Sequence, residues 1–178
     1  MSRFISLYIF ICLLSCTSKN STQNNSSNHF FNSIELGERN EKLRFYISAS
    51  FNECGEWGGH QELLEFFGKK GEVFVNYKKS NVDCNRISDL YGKPEFHQWI
   101  VNDTIKLNNN HKKAINIYLK NLVESKLSEG IGGHSGRTFA AYKSDSTFNI
   151  QVYNYDDDKI NTRNYNQLLQ SFKLDTIW

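Results

Sequence analysis

Between residues 43 and 51 apolar and polar side chains alternate, with Leu43, Phe45, Ile47, Ala49 and Phe51 on one side and Arg44, Tyr46, Ser48 and Ser50 on the other. A period of two is that of a strand with one buried face, so this segment predicts a half-buried β-strand. Val73, Val75 and Tyr77 repeat the pattern within residues 72–79. Residues 61–67 fit two templates, strand and short helix, because Leu63, Leu64, Phe66 and Phe67 also satisfy helical spacing. The turn-like Gly68-Lys69-Lys70-Gly71 favours the strand, as the first arm of a hairpin. Residues 81–95 contain Cys84, Gly92 and the only proline, Pro94, and read mostly as loop. A further strand is expected over 98–107.

Helical periodicity is strongest over 111–127, where Ala114, Ile115, Tyr118, Leu119, Leu122 and Val123 fall on one side. Asn108-Asn109-Asn110 offers N-capping side chains before it, and Gly130 a C-cap after it. Residues 137–143 and 147–155 then predict a second hairpin around Ser144-Asp145-Ser146, with Phe148, Ile150 and Val152 on one face. Asp156-Asp157-Asp158 reads as a solvated turn. Asn161 or Thr162 is placed to cap a last helix, in which Tyr165, Leu168, Leu169 and Phe172 share a side. The expected fold is α+β, an antiparallel sheet of about five to six strands with two helices packed on one face.

The first residues follow a different rule. Arg3 precedes the apolar run from Phe4 to Leu14, which ends in the small residue Ser15 and then Cys16. A basic start, a short apolar core and a small residue describe a secretory signal peptide, too short to span a membrane. Leu13-Leu14-Ser15-Cys16 resembles the lipobox of bacterial lipoproteins, of a Bacteroidota-like kind, although Leu14 is bulkier than the commonest residue there. The resemblance covers about twenty residues. It implies removal of residues 1–15 and acylation of Cys16, and several acyl chains anchor firmly at ~0.8 kcal/mol per buried methylene. An ordinary secretory signal or an uncleaved anchor is the alternative.

Residues 17–28 are almost wholly Ser, Thr, Asn, Gln and Lys. Such a stretch has nothing apolar to bury, so 16–33 is expected to be a lipidated flexible tether spanning ~20 Å, with one globular domain from 34 to 178. No acidic residue lies between Cys16 and Glu35, unlike the acidic run resembling a surface-export signal in some such lipoproteins. The periplasmic face is therefore the expected location, with the cell surface as the alternative.

Composition narrows the partners. Thirteen Phe, nine Tyr and three Trp supply ample core material, and loss of Arg3 with the leader lowers the formal net charge from +2 to +1. That balance argues against nucleic-acid binding by bulk electrostatics. If Cys12 leaves with the leader and Cys16 carries lipid, Cys54 and Cys84 remain in an oxidising compartment, where a disulfide is expected. The competing reading makes Cys54 a nucleophile or metal ligand.

Candidate chemistry concentrates in Glu53-Cys54-Gly55-Glu56-Trp57-Gly58-Gly59-His60-Gln61-Glu62. Gly58-Gly59-His60 recurs as Gly132-Gly133-His134, each copy just ahead of an expected strand. If the two loops share one end of the sheet, His60 and His134 with Glu62 form a possible zinc site. With Glu56 added, the same residues make a general acid–base set. Against this, no spacing matches a zinc signature, and glycine pairs arise wherever turns need positive φ. No nucleophile elbow, P-loop or dinucleotide fingerprint is present. Trp57 beside glycines can stack a sugar or peptide, or plug a core.

Three roles follow. The favoured expectation is a membrane-anchored, non-catalytic binding or structural protein of the cell envelope, held to the bilayer through Cys16 and contacting an envelope protein or polymer. The first alternative is a metal-dependent or His/Glu-based hydrolase-like enzyme using both Gly-Gly-His loops. The second is a periplasmic inhibitor or immunity-type lipoprotein.

Overall fold

The computed structural model describes residues 42–129, 136–154 and 159–175. Its centre is a six-stranded antiparallel sheet in the order β4-β3-β2-β1-β5-β6. The strands are β1 (Phe45–Ser50), β2 (Gln61–Lys69), β3 (Glu72–Asn81), β4 (Gln98–Lys106), β5 (Arg137–Lys143) and β6 (Asn149–Asn154). The ambiguous segment 61–67 is strand, because its alternation puts Glu62, Leu64 and Phe66 on the buried side, in register with Ala49, Ile47 and Phe45 of β1. The β2–β3 hairpin closes through Lys70-Gly71, both at positive φ (52° and 76°), the backbone that matches a tight two-residue turn to strand twist.

The alternating inward residues of the strands form one core with the buried sides of two longer helices, α2 (Asn109–Leu127) and α3 (Ile160–Ser171). Ile115, Tyr118, Leu119 and Leu122 of α2 meet Tyr165, Leu168 and Leu169 of α3 above Phe45, Ile47, Leu64, Val75 and Phe139. The opposite sheet face carries half-buried pairs instead, such as the stacked Tyr46 and Tyr142 rings, 4.9 Å apart. No helix among the described residues is long and apolar enough to cross a membrane.

Four details differ from the sequence expectation. A third helix, α1 (Ile87–Leu90), and two 3-10 turns, Cys84–Arg86 and Pro94–His97, fold the segment expected to be loop, so the count of two helices is one short. They are single turns without an amphipathic stripe, which periodicity does not register. Asn108 does cap α2, accepting the His111 N–H at 2.9 Å, but the C-cap is Ser128, ahead of Gly130, which lies outside the described residues. Val123 faces solvent, because 3.6-residue periodicity turns it past the edge of the stripe. Asn161 and Thr162 do not cap α3. They sit buried in its first turn, bonded to Ser125 (2.9 Å) and Arg137 (2.9 Å), while Lys159 is the N-cap. The turn expected at 156–158 lies outside the described residues.

Candidate functional site

The chain between β1 and β2 forms a loop pinched at its base by the Phe51 N–H donating to the His60 carbonyl (3.0 Å). A 3-10 turn, Gly55–Trp57, fills its tip, and the Cys54 N–H closes onto the Gly58 carbonyl at 2.8 Å. Cys54 is disulfide-bonded to Cys84, with Cα atoms 5.2 Å apart, which ties the tip to the chain leaving β3. The two glycines before His60 serve different needs. Gly58 adopts φ +87°, a conformation L side chains rarely take. Gly59 has ordinary φ but lies so close to neighbouring chain that a Cβ there would sit 2.7 Å from the Phe51 carbonyl oxygen and on top of the Glu53 carboxylate.

That close approach brings Glu53 round His60. Glu53 Oε2 accepts the His60 backbone N–H at 3.1 Å, and Oε1 takes the Nδ1–H of the ring. From the other side, Nε2 points to Oε1 of Glu62 at 3.2 Å. Both ring nitrogens therefore face carboxylates, an arrangement complete only for the doubly protonated imidazolium. Burial opposes the charge, but hydrogen bonds to Glu53 and Glu62 and their negative charges outweigh it and lift His60 to about 9. Burial raises Glu53 too, and there the bonds to His60 win, holding its carboxyl below the usual range. The Phe51 ring lies parallel to the imidazole, centroids 4.4 Å apart.

Glu62 is fully buried, on the core face of β2. Its register partner on β3 is Lys79, whose Nζ lies 3.2 Å from the same Oε1. The other oxygen, Oε2, and the buried hydroxyls of Tyr77 and Tyr165 have no hydrogen-bond partner among the described residues. Desolvation by burial, followed by the Glu62 charge, raises both phenols well above their ordinary range. The result is a chain of charged groups, Glu53–His60–Glu62–Lys79, running from the exposed loop across two strands through the fully buried Glu62.

Of the residues singled out from sequence, His60 and Glu62 are brought together, and Cys54 and Cys84 are bonded to each other. Glu56 stands exposed in the Gly55–Trp57 turn, apart from this chain. His134 and Cys16 lie outside the described residues. The strands that follow the two Gly-Gly-His elements begin at the same end of the sheet, since Ser50 is opposite Gln61 on one side and Thr138 on the other. No three His, Cys, Asp or Glu side chains gather to hold a metal among the described residues. With carboxylates at both nitrogens, the His60 ring is placed to donate on both sides.

Glu53 stands in the sequence cluster without an assigned role, and Lys79, Tyr77 and Tyr165 lie outside it. Glu53 was visible as a carboxylate seven residues before His60. Lys79 and the tyrosines needed strand register and helix docking to be found. Outside the bridge, Trp57 and Tyr91 are 53% and 60% exposed and meet edge to face at 5.1 Å. Compared with protein families, with curated proteins and with solved structures, the chain matches none.

Proposed function

We propose that the protein is an exported, lipid-anchored protein of the cell envelope with a non-catalytic binding role, and that Trp57 and Tyr91 form its contact surface. The observation that carries this reading is the exposed aromatic pair mounted on two short turns whose positions the Cys54–Cys84 bond fixes. Large aromatic side chains held rigidly at a surface lose little entropy on binding and dominate interface energetics. The neighbouring bridge supports the same reading, because both His60 nitrogens and Lys79 are engaged by its carboxylates. The lipobox-like segment ending at Cys16 supplies the anchor, and the polar tether the reach.

The test has two parts. Cys16→Ala should move the protein from the membrane to the soluble fraction; unchanged membrane association and lipid labelling overturn the anchor. A photo-crosslinking residue at position 91 should give discrete adducts in intact cells, and one at position 120, exposed on α2, should not. Equal labelling from both positions overturns the contact surface.

A second reading has one observation in its favour. Both Gly-Gly-His elements lead into strands at the same end of the sheet, which a hydrolase-like site using His60, His134, Glu56 and Glu62 requires. Purified protein assayed on ester, amide and glycoside substrates with and without zinc separates the two. Turnover abolished by His134→Ala would establish the enzyme, and absence of turnover leaves the binding role.

A further inference from the structure

A cleft of about 450 Å³ opens between the last turns of α2, the start of α3 and β6, within the size range of small-molecule sites. β6 is the sheet edge opposite β4, so the cleft lies away from the disulfide-tied turns that follow β3. Four side-chain amides line it, from Asn121, Asn154, Asn161 and Asn164. Asn154 and Asn161 are only 7% and 3% exposed. A buried amide is tolerated when it has partners, and both of these interact within the fold, so they form a fixed polar wall. Ser125 Oγ–H donates to Asn161 Oδ1 at 2.9 Å, which fixes the amide's orientation.

The charges in the lining restrict what fits. Glu124 and Glu129 face the cleft, and no Lys or Arg lines it among the described residues. Glu129 is held in place by the Tyr153 N–H at 2.6 Å and by Lys126. Lys120 lies 3.7 Å from Glu124 and Lys126 pairs with Glu129, so the two carboxylates are balanced and neither lysine is left over to hold an anionic ligand. The exposed apolar groups of the lining among the described residues are Ile160 and Tyr153, whose hydroxyl accepts from Gln151 at 2.7 Å. The Ser125 and Ser128 hydroxyls donate within the fold and keep their oxygens as acceptors, and with the Asn121 and Asn164 amides they match adjacent hydroxyl groups, each of which donates and accepts.

We infer that this cleft binds a neutral, hydroxyl-rich ligand, the chemistry of a sugar unit. The inference stands on these residues and holds whether or not Trp57 and Tyr91 form a contact surface. The test is calorimetric titration of the full-length protein, purified in a detergent without a sugar headgroup. The probes are maltose, cellobiose and di-N-acetylchitobiose, with glucose 6-phosphate as the anionic control. At least one neutral disaccharide should bind saturably, glucose 6-phosphate should not, and Asn121→Ala/Asn164→Ala should weaken binding about tenfold. Co-sedimentation with purified peptidoglycan sacculi then separates a polymer from a free sugar as the source. Should that double variant unfold, Glu124→Ala, at an exposed position, carries the comparison, with a smaller loss expected. No saturable binding of any neutral probe, or affinity unchanged in a folded variant, overturns the inference.

Discussion

His60 stacks on Phe51, the two rings 9° from parallel with centroids 4.4 Å apart, while carboxylates meet both edges of the imidazole. The cation is thus enclosed by a π face and two anions, and the loop that begins at Phe51 is fastened to the strand that begins beside His60. The bridge orders the disulfide-tied tip without using the tip's own side chains.

The first prediction concerns pH. His60 titrates at about 9 when folded, against an ordinary value of 6.5. Folding therefore favours its protonated form, so the stabilisation is complete below pH 6.5, shrinks as pH rises and is lost above about 9. The melting temperature should fall across that window, and His60→Gln should flatten the profile. A profile of the same slope in His60→Gln would exclude the bridge as its origin.

Glu62 and Glu56 should behave oppositely although both belong to the same sequence cluster. Glu62→Ala strands His60 and Lys79 without their shared anion and should cost about 3 kcal/mol in urea unfolding. Glu56→Ala, at an exposed turn, should stay within about 0.5 kcal/mol.

Gly59→Ala should destabilise by about 2 kcal/mol even though its φ suits alanine, because the new methyl collides with backbone at Phe51 and Glu53. The same substitution should lower the His60 pKa by displacing Glu53, which a histidine NMR titration reads directly. A normal fold with His60 still near 9 would refute the close-approach account.

The Cys54–Cys84 bond spans 30 residues and should contribute about 3 to 4 kcal/mol, lost in the Cys54→Ser/Cys84→Ser variant. Alkylation without reductant should leave both residues unmodified in intact-mass spectra, and two adducts would show free thiols.

Tyr118 tests the interior from another side. Its hydroxyl is buried without a partner among the described residues, so Tyr118→Phe should be neutral or stabilising by up to ~1 kcal/mol. A marked loss would point to a bound water or a partner on that oxygen.

By itself the sequence determined the elements whose periodicity is local. Alternation at 43–51 and 72–79 and the stripe of Ile115, Tyr118, Leu119 and Leu122 each report one buried side, because a strand or helix shows its environment every two or 3.6 residues. It also isolated Cys54 and Cys84 as a pair and marked the glycines beside His60. Tertiary structure alone decided what His60 does. Whether Glu62 or Glu56 is its partner depends on which residue the β1–β2 register turns inward. Whether Glu53 reaches the ring depends on the absence of a side chain at Gly59. Lys79 joins only because β3 pairs with β2 at that position, and Tyr165 only because α3 docks over it. These contacts link residues far apart in the chain, and no repeat along the sequence encodes them.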